Sequence, residues 1–119
     1  MSKRTYVPDR GDIVSINFMP AAGREIDKRR PAIVLSPQLY NSKSGFCIVV
    51  PLSSQIAQAG RFWLRTPDDL LDRPGVVLCD YLRSVDWRER AASFIKKAPP
   101  ELIDEITVRV LELVDPVFK

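Results

Sequence analysis

Gly11 to Phe18 read GDIVSINF, and this stretch sets the fold. Val14, Ile16 and Phe18 fall on one face while Ser15 and Asn17 fall on the other. Alternation with a period of two predicts a half-buried β-strand. Working outward, the next apolar runs are also short and bounded by turn residues. PAIVLSP (31–37) reads as a second strand closed by Pro37. FCIVVPLSS (46–54) is almost continuously apolar and reads as a central third strand, with Pro51 marking an edge position or a bulge. RFWLRT (61–66), GVVLCDYL (75–82) and SFIKKA (93–98) complete a set of six, the last an edge strand. Between them, QLYNSKSG (38–45) fits one helical turn ending at Gly45, DDLLDRPG (68–75) a loop, and SVDWRERA (84–91) a short helical turn.

The C-terminal segment has a different period. In PPELIDEITVRVLELV, Pro100 suits the first helical position, and Glu101, Asp104 and Glu105 lie in or near the first turn, where they complement the helix dipole. Ile103, Ile106, Val110 and Leu113 form an apolar stripe at helical spacing, and Pro116 lies just beyond. The prediction is one domain over 1–119, mainly β with one helix (α+β). It comprises a polar arm at 1–10, five or six mostly antiparallel strands in a small barrel or strongly curved sheet, and an amphipathic helix at 100–114 packed against them. A parallel βαβ fold would need helices between the strands, and the spacings leave no room for them.

Composition narrows the chemistry. The chain has 119 residues, a net charge of +3 and no histidine. One domain of this length buries a real core. The missing imidazole excludes His-based nucleophilic triads, His metal sites and imidazole acid–base pairs. Cys47 and Cys79 are too few for a Cys-only zinc site and sit inside apolar runs, as buried reduced thiols do. No cofactor or metal is called for. The N-terminus lacks the apolar stretch of a signal peptide, and no apolar run approaches the roughly 18 residues of a membrane span, so a cytoplasmic location is expected.

Chemistry-bearing residues gather at four places. The polar segment 19–30 is predicted to be a long exposed loop; it carries Arg24, Glu25, Lys28, Arg29 and Arg30, and arginine offers a planar two-pronged donor to phosphate. Arg30 stands where this loop meets the sheet, a position from which a rigid scaffold aims a side chain. Ser53 and Ser54 end the most apolar strand; their hydroxyls suit phosphate oxygens and equally suit ending a strand. Asp80 follows four apolar residues, on a strand face with Val76, Leu78 and Leu82, and needs a partner such as Arg83. Trp63, Tyr81 and Trp87 suit base stacking or a core.

Together these pieces resemble a known family. YVPDRGDIVSINFMPAAGREIDKRRPAIVLSPQLYN, then FCIVVPLSSQ, then GVVLCDYLRSVDWRERAA, are similar in order and spacing to the MazF/PemK toxin endoribonucleases of bacterial toxin–antitoxin systems, and more so to the MazF branch. The resemblance implies an SH3-like barrel with a C-terminal helix, acting as a homodimer. It implies metal-independent cleavage of single-stranded RNA through the ribose 2′-OH, with loss of translation and growth as the consequence. The family motif carries Glu25 and Arg30 over from the loop. Ser53 takes a position usually held by Thr, and Asp80 matches an acidic position. PemK-type members carry an Arg two residues before that acid, where this chain has Leu78.

The residues then take expected roles. Arg30 stabilises the phosphorane and Ser53 bonds a non-bridging oxygen. Glu25 is the general base, and Asp80 holds Arg30 or serves as an alternative base. Arg24, Lys28, Arg29, Ser54 and Gln55 contact RNA. The general acid has no assigned residue. The mobile loop is expected to flank an RNA groove along the dimer interface. The cognate antitoxin is expected to be acidic, partly disordered and anchored by apolar residues. Two other readings share the scaffold: a non-catalytic toxin that poisons DNA gyrase by protein contact, and an RNA binder that no longer cuts.

Overall fold

In the computed structural model, residues 6–18, 29–54, 62–115 and 117 are described. The elements are β1 (Asp12–Asn17), β2 (Arg29–Val34), α1 (Gln38–Ser44), β3 (Phe46–Ser53), β4 (Leu64–Arg65), β5 (Val76–Val77), a single 3-10 turn (Cys79–Tyr81), β6 (Arg83–Asp86), β7 (Ser93–Lys97) and α2 (Pro100–Val114). Among the described residues every strand pairing is antiparallel. The strands run in the order β4-β5-β3-β2-β1-β7, with β6 added to β3.

β3 is central, as its apolar run predicts, and it serves three partners. One edge pairs with β2 (Ala32 opposite Pro51). The other edge pairs with β6 over Phe46–Val49 and then with β5 over Leu52–Ser53. Pro51 lies between these two ladders. Its carbonyl accepts from the Leu78 amide at 2.9 Å, and a strand residue's N–H points to the same side as its carbonyl. Proline has no N–H to offer there, so the ladder breaks and the Cys79–Tyr81 turn loops out. Pro51 therefore marks neither an edge nor a bulge but a change of partner. The expected strand 75–82 is reduced to β5 and the turn, β6 follows as a separate strand, and six expected strands become seven among the described residues. β6 takes residues expected to be helical, and the turn follows it at Trp87–Ala91. RFWLRT contributes only the two residues of β4. The expected mainly antiparallel architecture with a C-terminal helix is present, and among the described residues no ladder closes β7 onto the far end, so the sheet is open rather than a closed barrel.

Side chains alternate across this sheet into two cores. Ile13, Ile33, Val50 and Leu52 face α2, which presents Leu102, Ile103 and Ile106. Val14, Ile16, Ala32, Val34, Cys47 and Val49 face the opposite way, onto Val85 and Trp87. Each such fully buried aliphatic side chain contributes roughly 1.5–3 kcal/mol. α2 begins as the sequence predicts, with Pro99 extended at the cap, Pro100 at the first position and Glu101 in the first turn. Its stripe is shorter than predicted. Val110 still packs on the core, but Leu113 is exposed, as are Val108, Leu111 and Val114. No described helix is long and apolar enough to cross a membrane.

Two polar knots fasten the elements. The Asn41 side chain on α1, fully buried, donates to the Pro8 carbonyl (2.7 Å) and the Ser36 carbonyl (3.0 Å) and accepts from the Ser36 hydroxyl (2.6 Å). Its own carbonyl accepts from the Trp87 indole (2.9 Å) and from Gly45, which ends α1 at φ 79°. Near the N-terminus, the buried Asp12 carboxylate accepts from the Tyr6 hydroxyl (2.5 Å) and pairs with Lys97 on β7 (2.6 Å). Pro8 is fully buried, so the described part of the expected arm is packed against the sheet.

Replacing Asn41 with Leu removes the acceptor of the Ser36 hydroxyl, which keeps its bond from the Ile48 amide, and the side-chain donor to the Pro8 and Ser36 carbonyls. The expected loss, read from urea unfolding, is about 2–4 kcal/mol; an unchanged midpoint would show that the knot adds nothing.

Burial pushes the Cys47 thiol up to about 12 and the Cys79 thiol to about 11 from an ordinary value of 9. Burial, reinforced by the Asp12 carboxylate, raises the Tyr6 phenol above its ordinary 10. In each case the folded protein keeps a proton that the unfolded chain releases. The associated stability is intact below pH 9 and is lost as pH rises through 11. The melting temperature should therefore fall across that window. A Cys47→Ala, Cys79→Ala variant should flatten the early part of the fall and Tyr6→Phe the later part; no flattening in either would contradict the assignment.

Candidate active site

A groove of about 550 Å³ lies at the C-terminal end of β3. Its wall is built from Arg30 and Pro31 of β2, Ser53 and Ser54 at the end of β3, and Thr66 and Gly75 beside the β4–β5 pair. Three predicted site residues, Arg30, Ser53 and Ser54, therefore meet in one place from two adjacent strands. They meet because β2 and β3 are neighbours in the sheet and because β3 ends at Ser53.

Gly75 sets how closely that end is held. The Thr66 amide donates to the Gly75 carbonyl (2.9 Å), and the Gly75 amide donates to the Thr66 hydroxyl (3.1 Å). A Cβ at Gly75 would lie 2.7 Å from the Ser53 carbonyl oxygen, a distance that side-chain carbons do not tolerate. Only glycine lets the strand after the loop pass this close to Ser53.

The neighbouring arginines behave differently. Both begin β2 rather than lying in a loop, which corrects the expected boundary at residue 31. Arg29 donates to the Ser15 hydroxyl (3.0 Å), the Ser15 carbonyl (2.7 Å) and the Ala91 carbonyl (2.5 Å). Its guanidinium is engaged with the protein, which makes it first a fastening residue although it also lines the groove. Arg30 is exposed, and no hydrogen bond or ion pair engages its side chain among the described residues. Ala91, the only non-glycine with positive φ (52°) among the described residues, belongs to the turn after β6. That turn also carries Arg90, whose side chain donates to the Phe18 carbonyl (3.1 Å). The turn thus clamps both stems of the segment 19–28. Glu25, Arg24 and Lys28, and with them Gln55, lie outside the described residues.

Asp80 is elsewhere. It sits exposed on the 3-10 turn, not on a strand face, and accepts from the Trp63 indole (2.6 Å). Trp63 meets the exposed Tyr81 edge-on, with centroids 6.2 Å apart. Among the described residues Asp80 has no ion pair with Arg30 or Arg83 and does not line the groove. Trp87 is core, 2% exposed. Thr66, Arg73 and Gly75 line the groove without having been picked out as site residues in the sequence. The available signal was a second Arg–Pro step, Arg73–Pro74, leading directly into GVVLCD.

The fold and groove define a small antiparallel β protein, backed by a C-terminal helix, with arginines and hydroxyls converging at the end of its central strand. Residues 9–114 match the family described as PemK-like, MazF-like toxin of type II toxin–antitoxin system, and the chain belongs to that family. It is 37% identical over 109 residues to the endoribonuclease toxin MazF of Escherichia coli K12, covering 92% of this chain and 96% of that protein. Among solved structures it is similar to MazF of Deinococcus radiodurans, with 41% identity, 92% and 98% of the two chains covered and a TM-score of 0.80. It is equally similar to a MazE-MazF crystal structure from the same organism, with 40% identity, 92% and 97% coverage and a TM-score of 0.81.

Gly75→Ala should push the Ser53 end of β3 outward and cost about 1–3 kcal/mol in urea unfolding, as overpacking does. Unchanged stability would contradict the close approach.

Proposed function

We propose that this chain is the endoribonuclease toxin of a toxin–antitoxin pair and that it cuts single-stranded RNA in the groove at the end of β3. The observation that carries this reading is the meeting in one groove of Ser53 with an exposed Arg30 that no hydrogen bond or ion pair engages among the described residues. The names of the relatives favour RNA cleavage over poisoning by protein contact.

The reaction is transfer of phosphorus from one ribose oxygen to another. The 2′-oxygen loses its proton and bonds to the adjacent phosphorus. The bond from phosphorus to the 5′-oxygen breaks, and that oxygen takes up a proton. The products are a cyclic phosphate, which water opens to a 3′-phosphate, and a 5′-hydroxyl. The transition state gathers negative charge on the non-bridging oxygens. The planar donors of Arg30 meet that charge, and Ser53 adds a neutral donor. Glu25 takes the 2′ proton in this reading. The attachment of Asp80 to Trp63 favours Glu25 over Asp80 as the base. Neither role requires a metal ion.

The working form is a homodimer in the cytoplasm, held in check by an acidic antitoxin. The exposed apolar residues of α2, among them Leu111 and Val114, support a protein partner.

The test is purified protein with a long single-stranded RNA in EDTA. Discrete fragments with cyclic phosphate or 3′-phosphate and 5′-hydroxyl ends are expected. Arg30→Ala should reduce kcat by about a hundredfold or more, the usual effect of losing a charge-stabilising donor. Cleavage at the wild-type rate by that folded variant would overturn the assignment.

A further inference from the structure

The groove has an arginine that the reaction just described does not use. Arg73 reaches it from the loop between β4 and β5, while Arg30 reaches it from β2. Arg73 is exposed, and among the described residues no hydrogen bond or ion pair engages it. In this it matches Arg30 and differs from Arg29.

The loop that carries it is fastened at both ends. On one side Leu70 is buried in the core (3% exposed), with its amide bonded to the Pro67 carbonyl (3.1 Å), and Leu71 packs beside it. On the other side Gly75 is bracketed by Thr66 through both its amide and its carbonyl. Arg73 therefore stands at the tip of a short, anchored span, with its guanidinium available to a ligand. Among the described residues the charged lining of the groove is Arg29, Arg30 and Arg73 against the carboxylate of Asp72, a balance that favours an anion. Its volume, about 550 Å³, lies in the range that holds a small ligand rather than a duplex. A chain with phosphates in succession, entering a groove where Arg30 and Arg73 are both unengaged among the described residues, has a second phosphate to offer.

We propose that Arg73 is a phosphate-binding residue. It holds an RNA phosphate next to the scissile one, across the groove from Arg30, and so sets where the strand lies. The inference rests on the RNA reading above. Arg73 binds the strand equally before and during reaction, so its loss weakens binding and leaves the chemical step intact.

The test uses Arg73→Gln, Arg73→Lys and the wild type, with a short single-stranded RNA carrying a 2′-deoxy sugar at the mapped cleavage position for binding and its all-ribose form for cleavage. Arg73→Gln should raise KM about tenfold with kcat within about twofold, the pattern of lost uniform binding. It should also reduce the slope of log affinity against log salt by about 0.7, the loss of one single-strand phosphate contact. Arg73→Lys, which keeps the charge, should restore that slope. A wild-type slope and KM in Arg73→Gln would overturn the inference. A loss of kcat with an unchanged slope would also overturn it, by placing Arg73 on the reacting phosphate. If the wild type binds with this Arg73-dependent slope but does not cut the all-ribose RNA, the phosphate site stands and the cleavage reading fails.

Discussion

The architecture depends on a donor that Pro51 does not have. β3 is the strand on which the molecule is assembled, and it carries β2 along its whole apolar half. On its other edge the missing N–H at Pro51 stops one ladder and lets another begin. Without that break, the apolar run 75–82 would continue as the single strand that its pattern suggests. With it, the chain leaves the sheet at Cys79–Tyr81 and keeps β5 separate from β6. The separated β5 brings Gly75 against the last carbonyl of β3, and this close approach forms one wall of the groove.

The opposite wall shows how adjacent arginines can divide their work. Arg29 and Arg30 are adjacent in sequence and both line the groove, yet they are held differently. Arg29 meets two carbonyls and a hydroxyl and joins β2 to β1 and to the turn after β6. Arg30 meets none of these. The fastening by Arg29 holds the backbone from which Arg30 projects, and the role proposed for Arg30 needs such rigidity, since a charge-stabilising donor must be in place before charge develops. Ala91 adopts a conformation that side chains disfavour in order to present one of those carbonyls.

Much of this was legible in the sequence, and the limits have physical causes. The alternation of GDIVSINF gives the right face for Val14, Ile16 and Phe18, and the apolar continuity of FCIVVPLSS gives the right central strand. The start of α2 follows from Pro100 and Glu101. The split of GVVLCDYL was not legible, because an apolar run says that residues are buried and not that the backbone is extended. Asp80 shows the same limit: a carboxylate after four apolar residues reads as buried, whereas the turn places it outside, against Trp63. The pairing of Arg30 and Ser53 in one groove was legible because they come from neighbouring strands. Arg73 was not, since it reaches the groove only through a loop whose path is decided by the packing of Leu70 and the Thr66–Gly75 bracket.

The central claim is that the scissile phosphate sits between Arg30 and Ser53. The most direct measurement is a crystal structure of the protein with a single-stranded RNA carrying a 2′-deoxy sugar at the cleavage position. The account predicts the scissile phosphate within hydrogen-bonding distance of both the Arg30 guanidinium and the Ser53 hydroxyl. A phosphate seated against Asp80 and Trp63, or on the exposed face of α2, with neither Arg30 nor Ser53 touching it, would contradict that claim.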